Sequence, residues 1–435
     1  MENKKYCDIE CKDGHPCDRK INIDQECCHQ HKIVDYWTNK NIQLIPEDLQ
    51  NKFLDLLPIE DRLNYLTINN DDYLYKKYIF KDEVPFELYQ QAKYKQNFRD
   101  ILYIKNIEQF YYVLIITPKI KQLKIVFVSI EKDGAKKIAE MLKINKTLTL
   151  IDFQDNNIGE DGAIAIAEAL KVNNTLIEID LSGEESNNNI GDIGVIVISE
   201  MLKINKTLTS ISLGYNIIGD IGLSAIAEAL KYNTTLTSIS LYMNNIGSKV
   251  AIILADALKI NITLTSINLG INEISDEGSI AIAYMLKYNK ILTSIYLYTN
   301  TIGDKGAIAI ADMLKYNKTL ISIDLGGNNI GAEAAIAIAD MLKDNITLKS
   351  INLNNNYISD VGAKIIADML KVNTTLTSIN LTSTNIGKDG AIAIAEALKI
   401  NKTLTFIQLN MNNITEKGEK AIREVLKINN IKIIY

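Results

Sequence analysis

A leucine, or a residue standing in for one, returns every 28 residues from Ile120 to the C-terminus, and this period leaves few folds open. The unit is clearest from Leu208, as Leu208, Ile211, Leu213, Asn216, Ile218, Gly222, Ile226, Ala227 and Leu230. It recurs from Leu236, Leu264, Leu292, Leu320, Leu348, Leu376 and Leu404, and upstream from Leu176 and Leu148. A worn copy opens the series at Ile120, Leu123, Ile125, Val128, Ile130, Gly134 and Leu142, making eleven units with one four-residue insertion around Glu184–Asn187. A unit this short cannot bury an apolar face alone, but stacked copies can, so the period predicts a solenoid built to present a surface.

Within the unit, Leu208-Thr-Ser-Ile211-Ser-Leu213 alternates apolar and polar residues, the pattern of a half-buried strand. Asn216 comes next, where the chain turns inward, and stacked copies of its amide can form a buried ladder on backbone groups. Val128 and Thr384 hold that position in the first and tenth units, so the ladder should break there, with Thr384 still offering a hydroxyl. Next comes a helical stretch in which Ala163, Ile166, Ala167 and Leu170 share one face. Lys171 suits the negative end of that helix, and Asn173 is expected as a left-handed C-cap. These strand–turn–helix units resemble the ribonuclease-inhibitor class of leucine-rich repeats over 120–435, about three quarters of the chain. The resemblance implies an α/β horseshoe, parallel strands inside and helices outside, that binds proteins on its concave face and performs no catalysis.

Composition divides the chain. All five prolines (Pro16, Pro46, Pro58, Pro85, Pro118) precede the repeats, and all five cysteines and three histidines lie between Cys7 and His31. The parts are a Cys/His cluster at 1–32, a helical segment at 33–80, a helical cap or linker at 81–119, and the repeats at 120–435. A net charge of −6 argues against a nucleic-acid partner, which calls for a basic stripe. No apolar run reaches the ~18 residues of a membrane span, and the N-terminus lacks the apolar core of a signal peptide. The expectation is a cytoplasmic protein, in the host cell if the Asn-, Ile- and Lys-rich chain comes from a virus. Asn-x-Thr recurs at Asn145, Asn173, Asn205, Asn233, Asn261, Asn317, Asn345, Asn373 and Asn401. Each matches a glycosylation acceptor, but the period makes them helix-end residues of the repeat.

On the candidate binding face, one column reads Ser210, Ser238, Ser266, Ser294, Ser322, Ser350 and Ser378. Against it stand Tyr215, Tyr242, Met243, Tyr296 and Tyr298, within roughly 15 Å if strands lie about 4.8 Å apart. Aromatics on a polar field are common interface anchors, and these five are the candidate target-binding residues. A stacked, solvated row of rings is the alternative, at equal weight. Asp152, Asp155, Glu178 and Asp180 make the first units acidic, suited to steering a basic partner.

The N-terminal cluster reads Cys7-x3-Cys11-x3-His15-x-Cys17-x9-Cys27-Cys28-His29-x-His31. Eight soft or borderline donors within 25 residues favour a structural zinc ion over disulfides in a reducing compartment. The candidate ligands are Cys7 or Cys11 with Cys17, Cys28 and His31. Cys27, His15 and His29 are spare or belong to a second site. An unstructured redox-sensitive tail is the alternative, and no HExxH or deaminase-type motif makes the metal catalytic.

Between cluster and repeats, Pro46 and Pro58 each start a helix, and Leu49, Phe53 and Leu57 share one face of the first. The order resembles the F-box, which docks on the Skp-type adaptor of SCF ubiquitin ligases. Pro46 and Glu47 match its opening, Phe53, Leu56, Leu57 and Pro58 its middle, and Asp61 and Leu63 the positions after that. Ile45 replaces the leading leucine and Tyr73 the usual tryptophan. The resemblance implies that Pro46, Leu49, Phe53, Leu57 and Pro58 contact the adaptor. A helical cap on the first repeat is the plainer reading. The order of parts implies a substrate-recruiting ligase adaptor. The alternative is a protein-binding scaffold or inhibitor of ribonuclease-inhibitor type with no ubiquitin role. No nucleotide-binding GxxxxGK[ST] loop and no nucleophile–base pair points to an enzyme.

Overall fold

The computed structural model describes residues 101–104, 121–125, 130–183, 186–427 and 431–435. The Cys/His cluster at 1–32 and the F-box-like segment at 33–80 lie outside the described residues. So does Val128.

The described residues form a single 13-stranded sheet, every neighbouring pair parallel and in strict sequence order from β1 (Ile101–Ile104) to β13 (Lys432–Ile434). From β2 (Gln122–Ile125) onward, helices alternate with strands, from α1 (Glu131–Ile144) to α11 (Glu416–Leu426). The eleven units appear as β2 to β12 (Phe406–Gln408). Within 81–119, expected as a helical cap or linker, Ile101–Ile104 is instead a strand, registered Ile101 to Gln122. Its Ile-Leu-Tyr-Ile composition suits a pleated surface, and among the described residues the sheet includes one strand ahead of the first repeat.

Registers obey the period. Ile211 sits opposite Ile239 and Ile267 opposite Ile295, whereas Glu178 pairs with Ser210 across the inserted residues. The central isoleucines of the ten strands from Ile151 to Ile407 and the flanking leucines are essentially inaccessible to solvent, as are Ala163, Ile166, Ala167 and Leu170 of α2 (Gly159–Leu170). Each such Leu or Ile contributes about 1.5–3 kcal/mol by leaving water. Strands stack about 4.8 Å apart, while packed helices need about 8–10 Å. One of each per repeat forces the stack to bend toward the sheet, whose uncovered face becomes the inner one.

Two asparagine ladders hold the repeats in register. The expected one is present: the Asn244 side-chain amide donates to the Leu213 carbonyl of the preceding repeat at 2.9 Å, and its oxygen accepts the Asn216 N–H at 3.0 Å. Asn216, Asn272, Asn300 and Asn328 make the same amide donation to a carbonyl of the preceding repeat. At Thr384 the hydroxyl keeps the local bond, to the Leu381 carbonyl at 2.7 Å, but makes no bond to the Leu353 carbonyl of the preceding repeat, where the asparagines donate.

The second ladder consists of the Asn-x-Thr asparagines, and it corrects the expected C-cap. Asn145, Asn205, Asn233 and Asn261 end their helices in extended backbone, near φ −65 and ψ 134 for Asn145, not left-handed. The side chain turns inward. In Asn233 it donates to the Leu202 carbonyl at 2.6 Å and accepts from the N–H groups of Thr235 and Leu236 at 3.0 and 2.7 Å. Asn289, two residues before Ile291 instead of a threonine, makes the same three bonds. The amide, rather than the acceptor motif, is what the repeat requires, and its burial withholds the nitrogen from a glycosylating enzyme.

A third device joins repeats at the other end of the helices. Asp192, in the first turn of α3 (Gly191–Ile204), accepts the N–H groups of Gly219 and Gly222 at 2.8 and 3.0 Å, capping the next helix from the previous repeat. Asp276, Asp304 and Asp360 do the same. Each such helix has its cap supplied across the repeat boundary, satisfying N–H groups that end a helix unpaired.

Candidate functional site: the uncovered face of the sheet

The serine column lies in register along the sheet, half-exposed at every position from Ser210 to Ser378. Two residues on, the outward row runs Ser212, Ser240, Asn268, Tyr296, Asp324, Asn352 and Asn380, so Tyr296 is its one aromatic.

The five candidate target-binding residues separate into three settings. Tyr296 ends β8 (Ser294–Tyr296), flanked in register by Asn268 and Asp324. Tyr242 and Tyr298 lie flat against the preceding repeat. A methyl on Gly214 would sit 2.1 Å from Cε1 of Tyr242, and one on Gly270 would sit 2.2 Å from Cε1 of Tyr298. The Tyr242 hydroxyl crosses Gly214 to donate to the Gly183 carbonyl two repeats away. Asn354 covers Gly326 in the same manner. The alternation Gly214, Tyr242, Gly270, Tyr298, Gly326 is thus a tiled row, and the side-by-side columns are the sequence signal that reveals it.

Tyr215 and Met243 occupy the turn just beyond the strand, with left-handed φ of 51 and 55 degrees. That conformation recurs at Asp155, Ile271, Thr299, Asn355, Ser383 and Met411, so the stack imposes it on residues that ordinarily avoid it. Tyr215 and Met243 therefore rim the sheet. The structure brings all five candidates into four consecutive repeats, as a platform of two flat rings, one strand tyrosine and two rim residues.

The acidic end is partly neutralised. Asp152 pairs with Lys124 at 3.1 Å, and Asp155 is buried in its turn, accepting the Ser186 N–H at 2.9 Å. Burial holds the Asp180 carboxyl above its usual range, opposed by hydrogen bonds from Ser182. Glu178 is also raised, first by burial and then by the nearby Asp180 charge. Among the described residues no group of His, Cys, Asp and Glu is arranged to hold a metal ion, and no helix is long and apolar enough to cross a membrane.

The leucine-rich-repeat family model matches seven segments, 145–167, 205–227, 261–283, 288–311, 316–339, 344–367 and 372–395. No curated protein matches the chain. Among solved structures, an internalin from Listeria monocytogenes is 20% identical with a TM-score of 0.43, covering 72% of this chain and 71% of that one. The leucine-rich-repeat protein LegL7 from Legionella pneumophila is 17% identical with a TM-score of 0.43, covering 71% of this chain and 99% of that one. A chain of the yeast Rad7–Elc1 complex is 16% identical with a TM-score of 0.43, covering 90% of this chain and 96% of that one. The fold of the described repeats is a leucine-rich-repeat solenoid, an architecture whose general use is to bind proteins.

Proposed function

We propose that this leucine-rich-repeat chain is a substrate-recruiting adaptor of an SCF-type ubiquitin ligase. The inner sheet face holds a target protein, and residues 44–80 dock on the Skp-type adaptor through Pro46, Leu49, Phe53, Leu57 and Pro58. The observation that carries the binding role is the uninterrupted sheet, helices on one side and an aromatic platform at Tyr215, Tyr242, Met243, Tyr296 and Tyr298 on the other. The ligase role is supported by the F-box-like pattern ahead of the repeats. The mechanism is proximity: a target held on the solenoid meets the ubiquitin-carrying enzyme at high effective concentration. The chain's contribution is rigidity, since the amide ladders fix the spacing between repeats.

The test is co-purification of tagged full-length chain with the Skp-type adaptor, beside a Leu49→Asp, Phe53→Asp variant. Adaptor with wild type and none with the variant is the expected result. Adaptor with neither rejects the ubiquitin role and leaves a binding scaffold. Cys7 or Cys11 with Cys17, Cys28 and His31 hold one structural zinc ion in this reading, since thiolate and imidazole donors can fold a peptide too short to bury a core. Metal analysis should give at least one zinc per chain, and a zinc-free protein with reduced thiols rejects that assignment.

A further inference from the structure

On the helix side, most helices end at a lysine placed three residues after an acidic residue. Eight repeats form that pair: Lys143 with Glu140, Lys171 with Glu168, Lys203 with Glu200, Lys231 with Glu228, Lys315 with Asp312, Lys343 with Asp340, Lys371 with Asp368 and Lys399 with Glu396. Besides the last helix, α11, where Glu424 and Lys427 form no ion pair, the pattern fails in two adjacent repeats. In α6 (Ser275–Tyr288) the acidic position is Tyr284, so Lys287 has no carboxylate at that spacing. In α5 (Ser248–Ile260) Lys259 makes no ion pair with Asp256 and instead sits 4.9 Å from the ring centres of both Tyr284 and Tyr288.

The result is a chain of alternating rings and cations across three repeats. Tyr284 and Tyr288 meet edge-on at 4.9 Å, and Lys287 lies 5.8 Å from the Tyr288 ring and 5.6 Å from the Tyr316 ring. The rings remain open to solvent, with Tyr284 50%, Tyr288 44% and Tyr316 61% exposed. Ile280, also exposed, extends the stripe one turn up α6, so positions 280, 284 and 288 form an apolar line on the outward face. An outward helix face is ordinarily polar. Lys290 and Lys318, in the turns beside the patch, direct their ammonium groups to the carbonyls of Lys287 and Lys315 and not to carboxylates.

We propose that this patch is a second docking surface, separate from the sheet face, for an acidic segment of a partner protein that carries apolar side chains between its carboxylates. Charge complementarity selects the occupant. Lys259 and Lys287 hold their charges against aromatic faces, where a cation is stabilised without being neutralised. An incoming carboxylate finds an ammonium beside each ring, and the apolar residues of the segment cover Ile280, Tyr284 and Tyr316. In the eight paired repeats the built-in Glu or Asp occupies the lysine and would repel such a segment.

The experiment uses the full chain and a fluorescein-labelled amphipathic peptide of alternating glutamate and leucine, with its lysine-for-glutamate counterpart as control. Tyr284→Glu and Tyr288→Asp are the variants. Both introduce residues that the same columns already hold, Glu228 in one and Asp344 in the other, so the repeat tolerates them. Fluorescence anisotropy should show saturable binding of the acidic peptide to wild type, weakening with salt, and at least tenfold weaker binding to either variant. Equal binding to wild type and variants overturns the proposal, as does equal binding of the basic control or no saturable binding at all. Sedimentation with phosphatidylserine vesicles is the remaining arm. Tyr284-dependent capture by vesicles without peptide binding would assign the patch to a lipid surface and reject the protein partner. None of these outcomes depends on the ligase reading, because the variants leave residues 44–80 and the sheet face unchanged.

Discussion

Asn317 offers the sharpest test of how the repeats are joined. Its side chain is fully buried, donates to the Leu286 carbonyl at 2.6 Å, and accepts from the N–H groups of Thr319 and Leu320 at 2.9 and 2.8 Å. Asn317→Ala strands two fully buried backbone groups, the Leu286 carbonyl and the Leu320 N–H. At about 1–3 kcal/mol for each unsatisfied group, the cost is about 2–6 kcal/mol. Asn317→Asp separates donor from acceptor. It keeps the oxygen that holds Thr319 and Leu320 but turns an anion toward the Leu286 carbonyl, which raises the folded-state pKa of the new carboxyl. The stability of that variant is therefore present below the unfolded carboxyl pKa, about 4, and is lost as pH rises through the raised folded value. Urea unfolding monitored by far-UV circular dichroism measures the global loss, and amide exchange at Leu320 measures it locally. The reasoning is refuted if Asn317→Ala costs less than about 0.5 kcal/mol, the usual range for a surface change. An Asn317→Asp variant as stable as wild type at pH 7 would refute it equally.

Other consequences are as definite. Ile217 is 62% exposed at a left-handed φ of 54 degrees, where Asn157, Asn189, Asn245 and Asn385 stand in other repeats, so Ile217→Asn should stabilise the fold by about 1 kcal/mol in urea titration. A loss of stability would contradict the strain argument. Gly214→Ala should displace the Tyr242 ring and cost about 1–3 kcal/mol, and the same change made in a Tyr242→Ala background should cost almost nothing. Equal costs in both backgrounds would mean that the ring does not press on Gly214. The carboxyls of Asp180 and Glu178 are held above their ordinary values of 3.8 and 4.5, so their stabilising contribution is full below those values and falls as pH rises through the raised ones. Asp180→Asn should raise stability at pH 7 and flatten the pH profile above about 4, measured by thermal melts. An unchanged profile would show that Asp180 is not the titrating group.

The architecture was legible because the period is strict: the alternation around Ile211 and the helical face of Ala163, Ile166, Ala167 and Leu170 both appear as read. The first amide ladder was legible too, down to the altered bonding at Thr384. The second was not. Asn173 and its equivalents resemble left-handed caps in sequence, but two backbone N–H groups and a neighbouring carbonyl draw the side chain inward, and the backbone stays out of the left-handed region. The binding face was half legible. Composition located the tyrosines, but a ring's direction depends on what faces it across a repeat boundary, and only the glycine opposite each ring carries that information. Positive φ at Ile217, Ile271 and Thr299 had no local signal at all, because the turn is imposed by stacking on residues that disfavour it.

The central claim is that the inner sheet face grips a protein, and site-specific photocrosslinking tests it most directly. A benzophenone amino acid placed at Tyr296 on the sheet is compared with one at Val361, exposed on the helix side in α9 (Ser359–Leu370). The account predicts one reproducible protein adduct from position 296, absent from position 361 and competed by added unlabelled wild type. Adducts of equal yield from both faces, or from the helix side alone, would contradict it.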